Sequence, residues 1–139
     1  MTKKDCIFCK LANGEIPTAT VYEDEDFRAI MDISPAARGH VIILTKEHAA
    51  NIYELSDELA SKIFVVAKKI AKAVKEEIQC DGVNILQNNG DAAGQSFFHI
   101  HVHVIPRYTK DTVVIGWRRN NMSGEDFDAT ARAIASHIE

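Results

Sequence analysis

Long apolar runs are missing from this chain, and so is any strong excess of charge of one sign. No stretch approaches the roughly 20 apolar residues that a membrane-spanning helix needs. The opening Met1-Thr2-Lys3-Lys4-Asp5 leads into no apolar segment of the signal-peptide kind. The expected location is therefore cytoplasmic, with no membrane partner. Lys and Arg number 16 against 20 Asp and Glu, a formal net charge of −4. That balance excludes the basic surface used to coat nucleic acid or anionic lipid. It leaves room for a small anionic ligand, because a few local N–H donors suffice to hold a phosphate. Cysteine is scarce and odd in number: Cys6, Cys9 and Cys80 are the only three. A disulfide framework is not expected from that count in a reducing compartment. No repeat, low-complexity tract or linker interrupts the chain.

What remains is an ordinary globular composition, 46% apolar and 26% charged over 139 residues. The length fits a single domain, which at this size buries roughly 68–70% of its unfolded surface. Gly14-Glu15-Ile16-Pro17 reads as a turn. Thr20–Glu23 and Phe27–Met31 read as strands joined by the acidic turn Asp24-Glu25-Asp26. Ser34-Pro35 and Arg38-Gly39 punctuate a loop, and His40–Leu44 is a nearly continuous β-branched strand. Leu59, Ile63, Val66, Ile70, Val74 and Ile78 recur every three or four residues, which predicts a helix from about Ser56 to Ile78. Ser56 is its expected N-cap, with Asp57 and Glu58 in the first turn. Val83–Gln87 reads as a strand, Asn88–Gly94 as a small-residue loop, and Phe97–Ile105 as a strand stopped by Pro106. Thr112–Ile115 is a possible short edge strand. Ser123 is placed to cap a last helix from Gly124 to about His137, with Asp126 at the capping-box offset. Several strands with two helices give an α+β class: an antiparallel sheet with helices packed on it.

The chemistry concentrates in one run. Half of the six histidines fall within His99-Ile100-His101-Val102-His103. On a strand the side-chain period is two, so three imidazoles share one face and are spaced about 6–7 Å apart along the chain. Such a face chelates a metal, with three histidines as a known zinc set, or presents a nucleophile flanked by helpers. The preceding loop, Asn88 to Ser96, carries Asn, Gln, Ser and Gly, whose neutral donors and backbone N–H groups suit a phosphate. Near the N-terminus, Cys6-x-x-Cys9 is half of a zinc ligand set, a plain thiol pair or a redox pair. Cys80 has no partner in view and reads as a small buried hydrophobe.

Gly94-Gln95-Ser96-Phe97-Phe98-His99-Ile100-His101-Val102-His103-Val104-Ile105-Pro106-Arg107 resembles the signature of the histidine-triad (HIT) superfamily. Upstream, Cys6-Ile7-Phe8-Cys9-Lys10, Gly14–Pro17, Met31–Pro35, Gly39–Ile43 and Lys46-Glu47-His48 resemble its Hint-like branch, in order, and in particular the bacterial type with an N-terminal Cys-x-x-Cys. The likeness spans about residues 6–107 of a single domain, 1–139, and leaves 108–139 as a C-terminal extension. It implies a HIT-like fold and a two-fold homodimer. It also implies hydrolysis or transfer of nucleoside monophosphates from phosphoramidates or related nucleotidyl compounds. By the same resemblance His101 is the nucleophile that forms a nucleotidyl-histidine, and His103 donates to the phosphoryl oxygens or the leaving group. Gln95 and Ser96 lie on the phosphate side, Asn88 on the phosphate or ribose side, Asp32 holds the ribose hydroxyls, and Phe8, Ile30 and Ile33 line the base pocket. Without the resemblance, Phe8, Ile30 and Ile33 read equally well as core and Asp32 as a turn residue. His40 is a support behind the triad. The resemblance further completes the Cys6–Cys9 half-set with His48 and His99, giving one structural zinc per chain. Two other readings stay open: a dinucleoside polyphosphate hydrolase of the Fhit branch, and a nucleotide-binding protein with weak turnover. Trp117, Arg118 and Arg119 read as a surface segment, with reach into a partner's site as the alternative.

Overall fold

The computed structural model describes residues 2–138. Its elements run α1 (Ile7–Ala12), β1 (Thr20–Glu23), β2 (Phe27–Met31), β3 (Val41–Thr45), α2 (Asp57–Ile78), β4 (Gly82–Leu86), a single 3-10 turn (Asp91–Ala93), β5 (His101–Arg107) and α3 (Gly124–Ala135). The five strands form one sheet in the order β1-β2-β3-β5-β4, with every neighbouring pair antiparallel.

The alternation of side chains along β3 organises the two faces. Val41 and Ile43 join the larger core with Phe27, Ala29, Val102 and Val104, under the Leu59, Val66, Ile70 and Val74 stripe of α2. Ile42 and Leu44 point the other way, into a smaller cluster with Phe8 and Ala12 of α1 and Ile30 of β2. A strand covered on both faces needs apolar residues at every position, which explains the unbroken β-branched run. The same alternation on β5 sends Val102 and Val104 to the α2 side and leaves His101 and His103 on the α1 side.

α2 begins where expected, with the Ser56 side chain accepting the Leu59 N–H, and ends at Gln79 in the left-handed conformation. Ser123 caps α3 by accepting from the Asp126 N–H, but the helix stops at Ala135. Three expectations are corrected. α1 was not expected as a helix; its N-cap is Cys6, whose sulfur accepts the Cys9 N–H. The strand expected over Phe97–Ile105 instead spans His101–Arg107, running through Pro106. Pairing with β3 ends at Val104, so Pro106 has a strand on one side only, opposite Val83, and its missing N–H breaks no second ladder. Thr112–Ile115 forms no strand.

Candidate active site and metal cluster

β5, the end of β2, α1 and the loop after Met31 converge on a cavity of about 670 Å³. Of the residues singled out in the sequence, Phe8, Ile30, Asp32, Ile33, Ser96, His40, His101 and His103 all line it. Phe8 and Ile30 are buried, so pocket wall and core are the same surface there. Ile33 is 98% exposed and stands at the rim. Ile16 and Pro17, read in the sequence only as a turn, also line the cavity, as does Leu11. Nothing in composition or spacing marks these as walls, because the apolar face of a six-residue helix and a turn shows no periodicity.

Two loop residues are not brought to the cavity. Gln95 is buried and its side chain is committed locally: its oxygen accepts the Gly90 N–H at 2.8 Å, and its nitrogen donates to the carbonyls of Ala50 and Phe97 at 2.6 and 3.0 Å. It holds the loop's shape. Asn88 faces the Gly94 carbonyl at a long 3.5 Å and lies outside the lining.

The hydrogen bonds fix the tautomers. A carbonyl only accepts, so the 2.8 Å contact between His101 Nδ1 and the His99 carbonyl puts the proton on Nδ1. Nε2 of neutral His101 then carries the free lone pair. A backbone N–H only donates, so the 2.9 Å bond from Ala36 makes His40 Nδ1 an acceptor and leaves the proton on Nε2. That Nε2–H lies 2.9 Å from His103 Nδ1 and 3.4 Å from an Asp32 carboxylate oxygen. His103 Nδ1 therefore accepts, and its Nε2–H is a donor. The other Asp32 oxygen accepts the Ser34 N–H at 2.8 Å, so Asp32 serves both its turn and the histidine pair. The rings of His101 and His103 lie 5.0 Å apart. Burial lowers the pKa of His101, and burial with the neighbouring His101 and His40 lowers His103 to about 4. Both are neutral at neutral pH.

His99 departs from the shared-face expectation, since it precedes β5 and sits in a bend. Its Nε2–H donates to the Thr45 carbonyl at 2.8 Å, leaving Nδ1 with the lone pair. That Nδ1 lies 3.4 Å from the sulfurs of both Cys6 and Cys9, and His48 Nδ1 lies 3.4 Å from Cys9 Sγ. All four ligand atoms fall within 4.8 Å of one another. Zinc bond lengths of about 2.3 Å to sulfur and 2.0–2.1 Å to nitrogen place tetrahedral ligands roughly 3.4–3.8 Å apart. The donor set fits a metal on chemistry as well. His99 is held neutral by burial, with a pKa of about 4. The sulfurs accept N–H donors, Cys9 N–H to Cys6 and Lys3 N–H to Cys9, as thiolates would. Burial pushes the Cys9 thiol pKa up, so a cation is what would draw off its proton. The sequence-marked quartet Cys6, Cys9, His48 and His99 can thus hold a metal ion. Asp32, His40 and His103 also converge. A metal there would need the His40 nitrogen that carries a proton as long as Ala36 donates to the other. Cys80 is buried and stands apart from the quartet.

The HIT domain family model matches residues 13–110. A HIT family protein of Bacillus subtilis, known from its crystal structure, superposes with a TM-score of 0.93 at 43% identity, covering 98% of this chain and 99% of its own. An adenosine 5′-monophosphoramidase of Schizosaccharomyces pombe is 38% identical over 135 residues, 96% of this chain and 98% of its own length. A Zn-bound histidine triad family protein of Mycobacterium smegmatis superposes with a TM-score of 0.74 at 36% identity, over 95% of this chain and 94% of its own.

Proposed function

Because the chain belongs to the HIT domain family, we propose that it cleaves nucleoside 5′-phosphoramidates, or related nucleotidyl compounds, at the α-phosphate through a nucleotidyl-histidine on His101. The observation that carries this reading is the tautomer of His101. Its Nδ1–H is tied to the His99 carbonyl, which leaves Nε2 as an unprotonated nucleophile on a residue lining the cavity. A neutral imidazole needs no separate base. Its attack on phosphorus forms the N–P bond as the bond to the leaving amine breaks, and the amine leaves with a proton taken from solvent. Water then attacks the phosphorus, releases the nucleoside monophosphate, returns the lone pair to Nε2 and gives its proton back to solvent. The His103 Nε2–H is the donor available to a phosphoryl oxygen or the departing group, and His40 keeps it so. Ser96 adds a hydroxyl on the phosphate side, and Gln95 acts by shaping the loop. Asp32 receives the ribose hydroxyls, with the base between Phe8, Ile30 and the rim residue Ile33. The name of the fission-yeast relative supports the phosphoramidase activity.

In the same reading Cys6, Cys9, His48 and His99 hold one zinc ion, a cross-link between α1, the segment after β3 and the approach to β5; the Zn-bound relative supports that choice of metal. Zinc supplies no step of the reaction. A cytoplasmic location goes with it, since a reducing compartment keeps thiol ligands free. So does a homodimer, supported by apolar surface that a single chain leaves open.

Purified protein incubated with adenosine 5′-phosphoramidate should release AMP. His101→Ala should lower turnover by at least about a thousandfold, in line with loss of a covalent nucleophile. Acid-quenched wild-type protein should carry a nucleotidyl group in intact-mass spectra, which the variant lacks. Full turnover by His101→Ala would refute the nucleophile. Cleavage of diadenosine tetraphosphate in preference would move the reading to a polyphosphate hydrolase. Nucleotide binding without either cleavage would make the protein a binder. Elemental analysis of unchelated protein should find about one zinc per chain, and much less in Cys9→Ser.

A further inference from the structure

The metal quartet and the nucleotide cavity touch along two lines. The first is His99. Its Nδ1 faces both cysteine sulfurs, its Nε2–H is held by Thr45, and its own carbonyl holds the Nδ1–H of His101. The second is Phe8, which α1 carries between the two cysteines. Its ring stacks on Phe97 with centroids 4.7 Å apart and meets the His101 ring edge-on at 5.0 Å. One contact fixes which nitrogen of His101 bears the proton; the other limits how its ring turns. The first belongs to a ligand of the cluster, His99 itself, and the second lies one residue from Cys9 and two from Cys6.

We propose, resting on the reading of His101 as nucleophile, that Cys6, Cys9 and His48 are positioning residues for it. Metal held by them and His99 fixes the His99 carbonyl and the Phe8 ring, which together hold His101 in its reactive tautomer and orientation. The placement of the core separates this role from a general structural one. The larger core lies on the α2 face of the sheet and contains none of the four ligands. α1 is six residues long, too short to persist on helical propensity, and belongs to the smaller cluster on the opposite face. Loss of the metal therefore loosens α1 and the His99 bend while the α2 core keeps the fold. A group that is held from outside its own site orients the reacting side chain without touching substrate. Linkage makes the effect mutual: if metal favours nucleotide binding, bound nucleotide favours metal by the same factor.

The test uses full-length protein labelled with 15N at histidine, zinc-loaded, chelated, and as Cys9→Ser, with AMP as the probe ligand. In loaded protein His101 should show a single Nδ1–H pattern in long-range nitrogen–proton spectra. In the metal-free forms circular dichroism should retain the helical signal, the His101 nitrogens should move to the averaged pattern of mixed tautomers, and AMP affinity should fall at least fivefold. A folded metal-free chain in which His101 keeps its Nδ1–H pattern overturns the proposal. Should the metal-free forms unfold, the loaded wild type decides: saturating AMP should raise the zinc affinity, read at equilibrium against a chromogenic chelator, at least fivefold, and an unchanged affinity overturns the proposal. Failure of AMP to bind loaded protein counts against the proposed function instead, and the ring-nitrogen pattern then decides the positioning role by itself.

Discussion

At the scale of single residues, the site runs on where protons sit. Ala36 donates to His40, His40 to His103, and His101 donates to the His99 carbonyl, so two backbone groups set three imidazoles. The sequence marked all three histidines but not the groups that set them, because a backbone N–H or carbonyl has no letter of its own. The consequence for stability has a definite sign. His103 titrates at about 4 in the folded chain against 6.5 ordinarily, because burial and two neighbouring imidazoles disfavour its charge. The unfolded chain thus takes up the proton first as pH falls. The stabilisation is complete above about 6.5 and is lost progressively as pH falls from there through about 4. Its limit for this one group is roughly 3 kcal/mol, from 1.36 kcal/mol per pH unit. Urea midpoints measured between pH 7.5 and 4 should decline over that window, and His103→Asn should flatten part of the decline.

At the scale of elements, legibility followed periodicity. α2, with its long stripe and Ser56 cap, was readable; β3 was displaced by one residue. α1 is not legible as a helix because it is six residues long and capped by a cysteine, and its segment shows motif residues but no apolar stripe. Its position matters more than its length, since it supplies Phe8 to the cavity and both thiols to the quartet. The link before β3 shows a different limit. Gly39 has φ +97, and a Cβ there would lie 2.7 Å from Ile78 Cγ1 at the end of α2. A turn residue in the sequence is therefore also the point where the loop carrying His40 presses on the helix. Gly39→Ala should destabilise by about 1–3 kcal/mol, through the strained φ and the contact together. Thermal melts should show a lower Tm, and a variant that melts with the wild type would show that the loop moves away freely.

At the scale of the whole molecule, the C-terminal extension is the part its own chain does not cover. Residues 114–138 are all exposed, and α3 buries no residue. Phe127, Ile134 and Ile138 are among the exposed apolar side chains of this arm, with Trp117 90% exposed before them. An amphipathic helix with nothing beneath it gains no stability from its apolar face, so the arm is expected to pack on a second copy. Sedimentation should give about twice the chain mass of 15.4 kDa. A chain ending at Thr112 should shift towards monomer while keeping the sheet and α2, whose core contains nothing from the arm. Unchanged association after that truncation would place the dimer surface elsewhere.

The α+β class, the α2 stripe and the candidate residues for the chemistry were legible in the string of residues. Those follow from side-chain type and period, which a linear string records. Tertiary structure decided which of them meet. Only folding brings His48 and His99 to the thiols of α1. It also turns Gln95 inward to brace a loop and leaves Asn88 outside the cavity. The histidine run itself was divided in this way. His101 and His103 stay on the strand beside the cavity, and His99 falls in the bend before it, facing the sulfurs. An imidazole's role depends on which donor or acceptor lies within about 3 Å of each nitrogen. For His101 and His40 that group is a backbone neighbour two and four residues away, whereas for His103 and His99 it comes from chain segments dozens of residues apart.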